Sequence, residues 1–450
     1  MANVIKLHKG LNINLKGKPA RELFSVGPSE EYALMPDDFY GMKPKLAKKE
    51  GESVKAGEAL FYDKKHPEVK FVSPVSGVVT SVTRGERRRI LSISVKADKE
   101  QSFVEFGKKD VSKMSGDEVK SLLLKSGLFA FFVERPYAVT ANPEAEPKAI
   151  FVSAFDSNPL AADFEFVLEG QEKEFQLGLD ALSKMAKTYL GISTSEKSQA
   201  LTGARNVTVT AFEGPHPAGN VGVQINHLDP INAGEIVWTM DPEAVIFIGR
   251  LLMNGHVDFT RTVALTGSEV EKPAYFKSII GAQLKGIFGG RVSNTGRTLR
   301  YINGNVLTGR QTAADGYLGA KSTSLTVIPE GDDEHEFLGF IRPRCDQFSM
   351  NHSYFSWLSG NKEYELDARI KGGERHMIMS GEYDKVFPMD IYAEYLIKAI
   401  IAGDIDKMEA LGIYEVAPED FALCEFVCSS KLEIQRIVRQ GLDNLRKELC

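Results

Sequence analysis

Between Gly51 and Lys96 the chain reads GESVKAGEALFYDKKHPEVKFVSPVSGVVTSVTRGERRRILSISVK. Gly and Pro recur too often there for a long helix. Val69, Phe71, Val78, Val79, Val82, Ile90, Ile93 and Val95 supply one apolar face. Short strands separated by tight turns are what such a stretch can form, so a small all-β unit is expected, ending near Lys96.

The chain downstream changes character. Ser115 and Glu118 stand at capping-box spacing, Val119, Leu122 and Leu123 continue an apolar stripe, and Gly127 stops it. Strand-like runs are expected at Ala149–Phe155, Asn206–Phe212 and Ala244–Ile248, with a helix over Gly178–Leu190 between them. Strands alternating with helices predict a Rossmann-like α/β domain. Residues 260–328 revert to short Gly-rich β segments around a helix-like YFKSIIGAQLKGIF. From about Pro343 the pattern is helical, with helices expected at Asp390–Ile401, Asp404–Leu411 and Ser430–Leu449, the last opened by a Ser430–Glu433 capping box.

At 450 residues the length allows roughly three domains, and 55 Lys plus Arg against 61 Asp plus Glu leave a net charge of −6. That balance argues against a nucleic-acid partner. The densest apolar run, Leu128–Val133, falls far short of the roughly 20 residues that a spanning helix needs. The polar N-terminus lacks a signal-peptide core, so a cytoplasmic location is expected. Four scattered cysteines, Cys345, Cys424, Cys428 and Cys450, make no disulfide framework. Cys424 and Cys428, at helical spacing, are too few for a cluster or a structural zinc site, and the eight His show no HxxH or HExxH. No metal site is therefore expected.

Four motifs remain. VSPVSGVVTSV after EGESVKAGEAL resembles a biotinyl or lipoyl carrier domain, with Asp63-Lys64 near the acceptor position. The segment from Lys64 to Pro74 is longer than a carrier hairpin and holds His66-Pro67, so an unmodified barrel-sandwich fold is expected. No GxGxxG or P-loop accompanies the α/β pattern. LFAFFVERPYAV sets Phe129, Phe131, Phe132 and Tyr137 beside Arg135. Flat rings with one guanidinium suit a quinone head group, although composition alone favours a core strand running into a surface loop. EGPHPAGNVG places His216 in a rigid loop directly after a strand, where α/β folds bind ligands.

VIKLHKGLNINLKGKP, YALMPDDFYGMKPKL, EGESVKAGEALFYDKKHP, VSPVSGVV, GPHPAGNVGVQINHLDP and VALTGSEVEKPAYF together resemble the A subunits of sodium-translocating NADH:quinone oxidoreductases. The likeness spans nearly the whole chain. Its order is also similar to the C subunit of Rnf complexes and, more remotely, to the flavin subunit of complex I. The resemblance implies a multidomain α/β chain: an N-terminal segment and carrier-like barrel-sandwich hybrid over 1–100, a Rossmann-like domain over 101–258, a β-grasp, SLBB-like domain over 259–330 and a helical domain over 331–450. Where those relatives carry a GxGGAGFP-type flavin loop, this chain reads SGLFAFFVERPY, and their cluster cysteines are reduced to Cys424 and Cys428. The resemblance thus implies a peripheral subunit without flavin, iron–sulfur cluster or other tightly bound cofactor. Its partners would be the membrane subunits, especially the B subunit, at the cytoplasmic face of the bacterial inner membrane, with quinone as substrate of the complex. The quinone-linked positions it implies are Leu34, Met35 and Pro36, and Phe131 to Pro136 with Phe132 and Arg135; His216 joins them from the loop argument. A stand-alone flavin-dependent NADH dehydrogenase and a purely structural docking adaptor are the alternatives.

Overall fold

The computed structural model describes residues 3–293, 296–332, 344–350, 354–359 and 362–449. Two small sheets pack face to face near the N-terminus. One holds Glu31–Leu34, Ile90–Ala97, Gly77–Arg84 and Ser53–Val54 in that order; the other holds Pro44–Leu46, Ala59–Asp63 and Lys70–Val72. Leu60, Phe61, Phe71, Val79, Ile93 and Val95 are buried between them, Phe61 stacked on Phe71 at 4.6 Å. The expected strands thus close into a barrel-sandwich. The Lys64 turn is pinned from within: the buried Asp63 carboxylate accepts from the Lys43 and Lys65 amides.

The second unit is a seven-stranded sheet. Its strands are β1 (Asn3–Lys6), β2 (Val133–Arg135), β3 (Val139–Thr140), β4 (Ala149–Ser153), β5 (Thr188–Ser193), β6 (Thr208–Glu213) and β7 (Val237–Met240), in spatial order β1-β6-β5-β4-β7-β2-β3. The first five in that order are parallel; β2 and β3 run antiparallel at one edge. From β4 the chain winds to one side through β5 and β6, and then crosses to β7 on the other. Helices α1 (Gly116–Ser126), α2 (Glu172–Met185), α3 (Val221–Leu228) and α4 (Pro242–Asn254) cover it. The Ser115–Glu118 capping box forms as expected, and Gly127 ends α1 in the left-handed region. Helices α2 and α4 meet through glycine: a Cβ on Gly249 would lie 1.8 Å from the Glu174 carbonyl oxygen, and one on Gly178 would lie 2.1 Å from that of Val245.

A third, six-stranded sheet runs Arg310–Thr312, Leu299–Asn303, Ser324–Pro329, Thr260–Thr266, Ala274–Ile279 and Ala20–Phe24. Residues 3–24 therefore lace the molecule: β1 edges the α/β sheet, and Ala20–Phe24 edges this one. The C-terminal helices, including Ala393–Ala402, Ile405–Ala410 and α5 (Ile434–Leu449), share a core with Leu7, Ile13, Leu15 and Phe212.

Several local expectations are corrected. Ala244–Ile248 is not a strand but the middle of α4. Asp241 caps that helix by accepting from the Glu243 amide, Pro242 pre-sets its first turn and Gly255 ends it at φ 85°. A helix buried on nearly every side reads locally like a buried strand, and β7 lies just upstream. Tyr189 and Leu190 belong to β5, because α2 stops at Met185. YFKSIIGAQLKGIF divides into the strand Ala274–Ile279 and a short helix, Leu284–Phe288. Ser430 caps no helix: its hydroxyl donates to the His376 carbonyl, and α5 begins only at Ile434. Pro343, where the helical pattern begins in the sequence, and Cys450 lie outside the described residues.

Candidate functional site

After α1 the chain turns through a short 3-10 helix, Leu128–Phe131, into β2. Phe132 is 0% exposed, its ring 5.3 Å from Phe129 and 5.2 Å from Trp238. Phe131 faces another group. It lies 5.8 Å from Phe39 and 5.8 Å from Phe247, both edge-on, and stacks on Phe259 at 6.0 Å. The aromatics of this segment fill their space with neighbouring rings.

Phe39 brings in the second segment singled out in the sequence, Leu34–Pro36. Leu34 ends a barrel strand and is buried. Met35 is half-buried and precedes a 3-10 helix, Pro36–Asp38. Phe39 packs edge-on to Phe71 of the barrel at 4.7 Å and reaches Phe131 of the α/β unit. The third sheet closes the seam. Lys321 Nζ lies 5.3 Å from the Phe39 ring centroid, the Ala320 amide donates to Asp38 Oδ2 at 2.8 Å, and Arg310 donates to the Asp37 carbonyl at 2.6 Å. Burial pushes the Lys321 ammonium down to about 8, with Asp38 opposing the shift. The loop that holds Leu34 and Met35 is therefore joined to Phe131 through Phe39, where three units meet, and Phe132 is buried beside Phe131. Sequence reasoning missed Asp38 and Lys321 as members of this seam. Asp38 lies within the YALMPDDF loop, whereas Lys321 sits in a Gly-rich stretch with no local signal.

Arg135 and His216 lie elsewhere. Arg135 is 3% exposed at the end of β2, and its guanidinium is bound to Glu419 and lies 3.7 Å from Asp420. Its charge is thus directed at the C-terminal helices. His216 flanks the crevice at the carboxyl ends of β4, β5 and β7, the place where an open α/β sheet offers a ligand site. Two adjoining cavities lie there. One of about 850 Å³ is bordered by Asn12, Asn158, Ser193 and Ser195; one of about 240 Å³ by Phe155, Phe164, Gly219, Met240 and Asp241. Ser157 Oγ accepts from the Gly219 amide at 2.8 Å and shares a hydrogen bond with His216 Nδ1 at 3.0 Å. Among the described residues Nε2 is buried without a hydrogen-bond partner.

Burial pushes the His216 imidazole down to about 4. The unfolded chain then binds a proton between roughly pH 6.5 and 4 that the folded chain refuses, so stability falls as pH falls through that window. A loss of about 3 kcal/mol is expected from this group across it. Denaturant unfolding of the native chain and His216→Gln at pH 7 and pH 4 checks this. The native chain should lose more stability than the variant; equal losses would contradict the assignment.

Cys424 and Cys428 are buried, burial raises the Cys424 thiol well above its ordinary range, and Cys428 Sγ lies 3.0 Å from the Tyr383 hydroxyl. Buried thiols of this kind are inert. Among the described residues, the group with metal-compatible spacing is His66, Glu68 and Glu144, partly or fully exposed at the barrel's edge.

Three family models match in succession: the NqrA N-terminal barrel-sandwich hybrid domain over residues 5–98, the NqrA second alpha/beta domain over 114–257 and the NQRA C-terminal domain over 262–314. The chain is 36% identical over 449 residues to the A subunit of the Na(+)-translocating NADH-quinone reductase from Neisseria meningitidis serogroup B, covering 99% of this chain and 100% of the relative. The proteins of the same name from Pseudomonas aeruginosa strain UCBPP-PA14 and Yersinia pseudotuberculosis serotype O:1b are each 36% identical over 450 residues, with the same coverage. Among solved structures, an air-oxidized NAD+-reducing [NiFe]-hydrogenase superposes at TM-score 0.31 with 15% identity over 41% of each chain, too slight a likeness to bear on the fold. Full-length identity at this level, together with the matching succession of barrel-sandwich, α/β and SLBB-like units, places the chain in the family of Na+-translocating NADH-quinone reductase A subunits.

Proposed function

We propose that this chain works as the peripheral A subunit of a sodium-pumping NADH:quinone reductase, held at the cytoplasmic face by the membrane subunits and above all by the B subunit. Hydride transfer, flavin chemistry and sodium translocation belong to the other subunits, and no cofactor is bound tightly here. Full-length similarity to relatives of that name carries the reading. No helix among the described residues is long and apolar enough to cross a membrane, which suits a docked subunit.

Within that role, the seam of Leu34, Met35 and Phe131 shapes the quinone end. Its support is convergence: two segments about a hundred residues apart meet at one aromatic contact, Phe39 on Phe131. Phe132 stiffens the seam from behind. Arg135 and His216, placed elsewhere, have structural duties. The assembly is tested by tagging the chain and extracting membranes in mild detergent. Hydrophobic subunits and NADH-dependent quinone reduction should purify with it; a chain recovered alone from intact, active membranes would refute the role.

A further inference from the structure

Helix α3 (Val221–Leu228) follows the PHPAGN loop, and its first turn is electrostatically bare. It has no acidic residue there, and its N-cap, Asn220, makes no side-chain cap; the Asn220 side-chain amide instead donates to the Glu419 carbonyl at 3.2 Å. A helix start of this kind carries about half a positive charge. The carboxyl against it comes from far along the chain: burial and the neighbouring Glu419 push Asp420 up to about 7, with Arg135 opposing the shift, so it is fully a carboxylate only above that pH. A Cβ on Gly222 would lie 2.3 Å from Asp420 Oδ2 and 2.7 Å from Oδ1, so only glycine lets that carboxylate reach the turn. Asp420 is buried, and its Oδ2 accepts from the Ala417 amide at 2.9 Å. Arg135, only 3% exposed, approaches from β2: Nη1 lies 3.7 Å from Oδ2, while Nη2 binds Glu419. Two polar atoms in the cluster have no hydrogen-bond partner, Arg135 Nε and Asp420 Oδ1. Burying a carboxylate and a guanidinium is costly unless each neutralises the other. Here they are brought together from β2 and the C-terminal region, at a helix start.

We propose that Arg135 and the first turn of α3 form an anion-binding site whose occupant is the chain's own Asp420, an internal carboxylate that docks the C-terminal helices onto the α/β sheet. A second contact runs the same way: Asn226, one turn on, donates to Glu415 at 2.6 Å. The site's chemistry selects a small carboxylate, since the space is that of one aspartate head. This latch is independent of the quinone reading.

The test empties the site and refills it. Thermal unfolding of full-length Asp420→Gly is followed at pH 8.5, where native Asp420 is ionised, in rising formate, with chloride holding ionic strength constant. The variant should melt below the native chain, and formate should raise its Tm saturably, with a dissociation constant on the order of 10 mM. The native chain and the Arg135→Met, Asp420→Gly double variant should not respond. No formate effect beyond that on the native chain, or an equal effect on the double variant, would overturn the site. If Asp420→Gly does not fold, the isosteric Asp420→Asn decides. The latch requires a lower Tm and faster hydrogen exchange in the C-terminal helices, whereas native values in both would show that the charge is irrelevant.

Discussion

Arg261→Ala is expected to destabilise the chain by about 3–5 kcal/mol, the cost of leaving buried partners unpaired. Arg261 is 1% exposed where the α/β unit meets the third sheet. Its Nε donates to Glu243 Oε2 at 2.6 Å, Nη2 to Asp241 Oδ2 at 3.1 Å and Nη1 to the Ala320 carbonyl at 2.7 Å, while the Thr262 amide donates to Glu243 Oε1 at 2.9 Å. Alanine would leave the buried Glu243 carboxylate with the Thr262 amide and no countercharge from Arg261. Arg261→Met fills much of the volume but leaves the same carboxylates, so it should recover little. A triple Arg261→Met, Asp241→Asn, Glu243→Gln variant should recover a good part, because it removes the charges together. Denaturant midpoints at pH 7 measure all three; an Arg261→Ala chain within about 1 kcal/mol of native, the range of an exposed pair, would contradict the network.

Phe132→Ala should cost a similar amount, about 3–5 kcal/mol, for a different reason: a fully buried ring is removed and the surroundings close only partly. The ring sits against Phe129 and Trp238, which also meet each other edge-on at 5.3 Å, so neither can swing in freely. In the assembled complex this variant should lower quinone reduction and NADH oxidation by an artificial acceptor together, through loss of folded subunit. A selective rise in quinone KM with native stability would show instead that the ring contacts quinone.

These two sites show what the sequence could and could not disclose. The barrel was legible because period-two apolar residues and Gly/Pro turns are local signals, and Ser115–Glu118 because a capping box needs only adjacent residues. Ala244–Ile248 misled because a helix buried all round lacks amphipathic period; the cue was Asp241-Pro242-Glu243 at its start. At the seam, the two segments could be named from the family likeness, but their meeting depends on Phe39 and Lys321, which come together only when three units pack. Arg135 was visible as a charge among aromatics; that its partners are Glu419 and Asp420, nearly three hundred residues on, is a tertiary fact.

The quinone role of the seam is tested most directly at Met35, half-buried in the loop that meets Phe131 and free of the packing debt that complicates Phe132. The complex carrying Met35→Ala is purified, its subunit content checked, and two rates compared: NADH-driven quinone reduction and NADH oxidation by an artificial acceptor. A lost contact of about 1 kcal/mol should raise the apparent KM for quinone about fivefold and leave the acceptor rate native. A quinone KM equal to native in a fully assembled Met35→Ala complex, or a parallel fall in both rates, would contradict the seam as the quinone end.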